Sequence, residues 1–122
     1  ILKTCVECAI KRLTQVDKDN IEELLSTVDD LDEHEFLNWL ERRQDVLSKA
    51  SKNFFIYEEL RKVQGLSRRF WYYYAKKEDD QVVKELHKNI LKAVFDENKN
   101  DAVMYVDEII DYIENFVKKH SI

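Results

Sequence analysis

Residues 86–109 read LHKNILKAVFDENKNDAVMYVDEI. Val83, His87, Ile90, Leu91 and Val94 recur at three- and four-residue steps, so they share one side of a helix. Asn98 then caps a new helix, with Asp101 three residues on, near the positive end of its dipole. Ala102, Val106, Ile109, Ile113 and Phe116 form the buried stripe of that second helix. Two amphipathic helices therefore meet across a capped break, and a histidine, His87, lies on the apolar face of the first. Taken alone, such a histidine has two readings: a ligand-pocket residue, or a core residue whose ring nitrogens are satisfied by neighbours.

Composition extends the helical reading to the whole chain. Its 122 residues make one domain with a single core. Hydrophobic residues are 44% and charged ones 37%, with one glycine, Gly65, and no proline. Sandwiches and α/β folds need turn residues at many corners, so this scarcity predicts an all-α fold. With 25 acidic against 20 basic side chains the net charge is −5. The basic residues are scattered, so the chain is not expected to hold DNA by itself. No apolar run approaches the roughly 20 residues of a membrane span and no signal peptide is visible, which predicts a cytoplasmic protein. The chain opens inside an amphipathic pattern without an initiator methionine, and reads as part of something longer. Cys5 and Cys8 form a C-x-x-C on helix, with no further ligands nearby for zinc and no strand–helix setting for redox work. They are expected simply to pack, in a reducing compartment.

The remaining helices follow from their starts and stops. The first is expected from the N-terminus to about Val16, with Leu2, Val6, Ala9, Ile10 and Leu13 inward. Asp19 and Glu22 suggest a capped start for a short helix through Leu31, packed by Ile21, Leu24, Leu25 and Val28. Asp32 and Glu35 repeat the device and open a long helix to about Lys52. Its stripe is Phe36, Leu40, Leu47 and Ala50, flanked by Trp39 and Val46. Asn53 breaks it. A short helix from Phe54 to Val63 is expected to end at Gly65, where a left-handed cap costs least. Leu66–Lys77, with the aromatic RRFWYYY, forms the next, and Asp79 or Asp80 starts the one that runs through Phe95. The last runs from Asn98 to about Lys118. The expectation is an antiparallel bundle of six or seven helices.

In this order the helices resemble the FCD domain, the C-terminal effector-binding and dimerisation module of GntR-type bacterial transcription regulators. Three blocks carry the likeness and span nearly the whole chain. Ala9-Ile10-Lys11-Arg12, ahead of the Ile21–Leu25 helix, looks like the family's alanine-rich opening. Val46 to Asn53 looks like the end of its long helix, an Ala-Ser-x-Asn break. His87 to Val94, followed by Asn98 as cap and Ala102, resembles the family's histidine, "ILxAI" and capped break. The resemblance implies a DNA-binding winged helix-turn-helix upstream of residues 1–122, through which alone DNA is bound.

Many members hold a divalent metal with an aspartate, a histidine four residues later, the histidine of the third block and another on the final helix. Carried over by spacing, these positions are Leu40, Gln44, His87 and Ile109. Leucine and isoleucine donate nothing to a metal, so no metal and no other cofactor is expected. A one-residue slip would bring in Glu41 and Asp45, but it turns a helix by about 100° and aims both at solvent. They read as a solvated face.

The family pocket lies between the long third helix and the last three. Its candidate lining here is Leu40, Arg43, Gln44, Leu47, Arg69, Tyr73, His87, Ile109 and Ile113. Some of the aliphatics are equally well filled core. Gln44 and His87, if buried, need partners: each other, a tyrosine hydroxyl, water or a ligand. Arg43, Arg68 and Arg69 are the candidate partners of an anionic effector, or else surface arginines in ordinary ion pairs. Of Tyr72, Tyr73 and Tyr74, at most one or two can face a pocket, and the rest suit a core edge or a dimer surface.

Two functions are consistent with these residues. One is a sensor domain that binds a small-molecule effector, an organic acid or a more apolar metabolite, within a homodimer and away from membranes. The other is an effector-free helical dimerisation module with a closed core. An enzyme is not expected, because no nucleophile has a placed base, no inward carboxylates pair, and no glycine loop cradles phosphate.

Overall fold

The computed structural model describes residues 1–121, and the side chains of all of these except 63–67. Six α-helices follow one another: α1 (Leu2–Lys11), α2 (Gln15–Thr27), α3 (Glu33–Ala50), α4 (Phe54–Tyr74), α5 (Lys77–Phe95) and α6 (Lys99–His120). One 3₁₀ turn, Val28–Asp30, follows α2, and the described residues contain no strand. The all-α bundle expected from composition is what the chain forms.

The break between α5 and α6 is closed by the backbone itself. Asp96 N–H bonds the Lys92 carbonyl at 2.9 Å, Glu97 N–H that of Val94 at 3.0 Å, and Asn98 N–H that of Ala93 at 2.8 Å. The last two are the paired bonds of a Schellman motif, which puts Glu97 in the left-handed region at φ 56°. Asn98 then starts α6, its side chain accepting the Asp101 N–H at 3.1 Å. The α3–α4 break also turns on a left-handed residue, Lys52 at φ 55°, whose N–H bonds the Lys49 carbonyl at 3.0 Å. Asn53 caps α4 by accepting the Ile56 N–H at 3.2 Å. Arg12 reaches across to the Ser51 carbonyl at 2.8 Å, and Lys52 pairs with Asp17 at 2.6 Å. These two contacts tie the α1–α2 connection to the end of α3.

Several helix boundaries differ from the sequence expectation. The first helix stops at Lys11, and α2 begins at Gln15 rather than near Asp19. Thr14 is its cap: its hydroxyl accepts the Asp17 N–H at 3.2 Å while Asp17 accepts the Thr14 N–H at 3.0 Å. Aspartate in the position where the box usually carries Glu or Gln hides this start. α5 begins at Lys77, because Asp79 lies inside its first turn and accepts the Lys76 N–H at 2.9 Å. The expected end at Gly65 is absent, and α4 runs unbroken from Phe54 to Tyr74. Ile56, Leu60 and Trp71 are all buried; their spacings are close to whole helical turns, so one apolar face continues through Gly65. A mid-helix glycine costs only about 1 kcal/mol.

The core is drawn from every helix and contains Val6, Ile21, Leu24, Phe36, Leu47, Ile90, Leu91, Val94 and Val106. Trp39, expected at its flank, is buried within it, and its indole N–H donates to the Leu24 carbonyl at 3.0 Å near the end of α2. Ile113, expected on the buried stripe of α6, is 40% exposed. Cys5 is wholly buried, with its thiol 3.5 Å from the Leu47 carbonyl, and burial pushes its pKa up to about 11.

Glu97 is exposed, and its ion pair with Lys18 spans 3.6 Å, so its side chain contributes little. Its backbone pays the left-handed penalty that glycine avoids. Glu97→Gly is therefore expected to stabilise the chain by about 1 kcal/mol, raising Tm by several degrees in a thermal melt. Glu97→Ala keeps the penalty and should give no gain; equal melts for the two variants would remove the argument.

Candidate functional site

Helix α3 places Phe36, Trp39, Arg43 and Leu47 at steps of three and four, all buried. Helix α5 places Val83, His87, Ile90 and Leu91 on its own inner face. The two faces do not meet everywhere. Between α3, the C-terminal half of α4, α5 and α6 lies a cavity of about 570 Å³, within the range of small-molecule sites. Its wall comes from Leu37, Leu40, Glu41, Arg43 and Gln44 of α3, Arg68, Phe70 and Trp71 of α4, and Val83 and His87 of α5. Ile109, Ile110, Ile113, Phe116 and Val117 of α6, with Leu2 of α1, complete it.

Six of the expected pocket residues reach this cavity: Leu40, Arg43, Gln44, His87, Ile109 and Ile113. Leu47, Arg69 and Tyr73 do not. Leu47 is sealed in the core beside Cys5. Arg69 is exposed and Tyr73 is 82% exposed, because each lies two residues from inward-facing Trp71, about 200° around the helix. The neighbouring tyrosines, Tyr72 and Tyr74, are also largely exposed. Trp71, Phe70 and Phe116 were not foreseen as lining. Extending the Ile56–Leu60 phase through Gly65 would have found Trp71.

The polar groups on the wall differ in how they are satisfied. Gln44 does not bond His87; its amide donates to the Leu60 carbonyl on α4 at 2.6 Å. Glu41 is exposed and takes the Arg68 guanidinium at 2.7 Å, while Asp45 pairs with Lys49 at 3.0 Å, both on the solvated face expected of them. Among the described residues Arg43 and His87 have no such partners. Arg43 is 7% exposed, and its Nε and Nη1 are buried without a hydrogen bond, as is Nδ1 of His87. His87 lies edge-on to Trp39, with ring centres 6.2 Å apart. Burial pushes the Arg43 pKa down to about 10, which leaves the guanidinium charged at neutral pH.

The four positions that hold a metal in the resembled family, Leu40, Gln44, His87 and Ile109, all face this cavity. Two are hydrocarbon, and Gln44 is engaged with Leu60. That leaves one imidazole, with a guanidinium charge nearby acting on it. Among the described residues no three His, Cys, Asp or Glu side chains lie together as a possible metal site. This donor set does not fit a divalent cation.

Burial first, and the Arg43 charge second, hold the His87 imidazole well below its ordinary 6.5. The folded chain therefore keeps the ring neutral where the unfolded chain begins to bind a proton. Unfolding takes up that proton, so stability falls as the pH drops below about 6.5, by up to about tenfold in the folding equilibrium per pH unit. Urea denaturation between pH 7 and pH 5 should show this slope, and His87→Gln should flatten it. An unchanged slope in the variant would mean that His87 is not the group responsible.

Among known proteins, no curated protein and no solved structure matches the chain. Among protein-family models, the FCD domain matches residues 1–112, which takes in every helix except the end of α6. Domains of this kind are regulatory parts of transcription factors rather than enzymes. No helix of the described residues is long and apolar enough to cross a membrane. The match extends from α1 through the His87 block into α6, and the chain belongs to the FCD family, the C-terminal effector-binding and regulatory domain of GntR-type transcription regulators.

Proposed function

We propose that residues 1–122 act as a single ligand-sensing and dimerisation domain that binds a small organic effector without a metal. DNA is read by a winged helix-turn-helix upstream. One observation carries this reading: the cavity of about 570 Å³ is walled by two buried side chains, Arg43 and His87, with buried nitrogens that lack hydrogen-bond partners among the described residues. A buried polar group left unsatisfied costs on the order of 1–3 kcal/mol, and a buried charge more. A closed dimerisation module would gain by filling the cavity and replacing both residues with hydrocarbon. The bound effector favours one arrangement of the domain pair over another, and the spacing of the DNA-reading heads follows. The exposed aromatics Phe54, Phe55 and Tyr73 offer apolar surface for the second copy.

Metal-free binding is checked by elemental analysis after dialysis without chelator. Zinc, nickel and manganese should all be well below one per chain. Stoichiometric metal that disappears in His87→Ala would overturn this part of the reading.

The division of labour with the DNA-reading segment is checked by gel shift. At net charge −5 the 122-residue chain should give no sequence-specific complex with the regulator's promoter. The full regulator should bind, and His87→Ala in it should weaken the effector response far more than it lowers Tm. Specific binding by the 122-residue chain alone would contradict the sensor assignment.

A further inference from the structure

The polar groups of the cavity are few, and they leave one sign of charge uncompensated. Among the described residues Glu41 is the one acid on its wall, exposed and already paired with Arg68. Arg43 lies deeper, 7% exposed, with no ion pair among the described residues. Cys5 is the group whose anion would act on it, and that thiol stays protonated because burial raises its pKa to about 11. The thiol therefore supplies no counter-charge. The rest of the lining is almost wholly aliphatic and aromatic. An unpaired buried cation is among the costliest groups a core can hold, and methionine would fill the same space without that cost.

We infer that the molecule taken up here is an apolar monocarboxylic acid, its carboxylate pairing with Arg43 beside His87 and its aliphatic or aromatic body lying against Leu37, Leu40, Ile109 and Phe116. The inference rests on reading the cavity as the effector site, and names the chemical class of that effector. Guanidinium takes a carboxylate through two parallel hydrogen bonds along one edge, Nε with Nη2 or Nη1 with Nη2, which satisfies the charge together with one of the two unbonded nitrogens. His87 as its Nδ1–H tautomer donates a further bond, giving its own unpartnered nitrogen an acceptor. The arginine thus supplies the positive charge that a metal cannot be held there to supply. A second carboxylate on the ligand would find no free cation, since Arg68 is engaged by Glu41, and would have to lie against hydrocarbon.

The test uses the 122-residue chain with four probes: octanoate, 3-phenylpropanoate, octan-1-ol and octanedioate. Trp71 lines the cavity and Trp39 touches His87, so tryptophan emission reads occupancy, with thermal shift as a second readout. The two monocarboxylates are expected to bind roughly tenfold to a hundredfold more tightly than octan-1-ol or octanedioate. Arg43→Met should lose that margin for octanoate, leave octan-1-ol binding in place, and melt no lower than the parent chain, because it removes an unpaired buried charge. A merely structural arginine would instead lower Tm on replacement. If octan-1-ol binds as well as octanoate, or Arg43→Met binds octanoate undiminished, the anion assignment is wrong and the cavity remains an apolar effector site. If none of the four binds, both the assignment and the effector reading of the cavity fail. The probe series on the unaltered chain decides the matter even if Arg43→Met does not fold.

Discussion

The bundle is organised by how α5 is turned back against α6. The carbonyls of Ala93 and Val94 receive the N–H groups of Asn98 and Glu97, and Asn98 at once caps the next helix. Glu97 alone of the corner residues takes the left-handed region. The tight corner aligns the two apolar stripes, so Val94 and Ala102 are both wholly buried beside it. Farther from the corner the elements no longer fill the space between them. Near Val83 and Phe116 the gap opens into the cavity, whose contents are set by α3 and α4.

What occupies that gap runs against the ordinary logic of a core. Other polar side chains of the interior find backbone partners: Trp39 bonds Leu24, Gln44 bonds Leu60, and Lys84 reaches the Leu31 carbonyl at 3.1 Å. Arg43 and His87 do not, although they lie in the same bundle and under the same constraint. Burial lowers the pKa of each, and the arginine's charge adds to the effect on the histidine. Buried polar groups left without hydrogen bonds are a common mark of sites shaped for a ligand rather than for stability.

Much of this was legible along the chain. The Asp32–Glu35 box, the break at Asn53, the Asn98 cap and the inward face of His87 follow from local patterns, and each is present. Local signals also misled where two of them competed. Gly65 reads as a stop, yet the apolar phase from Ile56 to Trp71 carries α4 through it, and that phase turns Arg69 and Tyr73 outward. Asp19 reads as a cap, yet the reciprocal bonds between Thr14 and Asp17 start the helix earlier. In the first case a single conspicuous residue weighed less than a pattern spread over several turns, and in the second less than a reciprocal pair of capping bonds.

Periodicity within a helix reports which side of it avoids water, because that depends only on the rotation between successive residues. On that basis the chain by itself determined an all-helical bundle, its principal breaks, and the inward aim of Leu40, His87 and Ile109. It could not say what each face would meet. Whether Gln44 bonds His87 or a carbonyl of α4, whether Arg43 finds a carboxylate, and whether the stripes close or leave about 570 Å³ between them were decided only in three dimensions. Those outcomes depend on distances between residues far apart in sequence. Hydrogen bonding and packing are satisfied, or left unsatisfied, only when such residues are brought face to face.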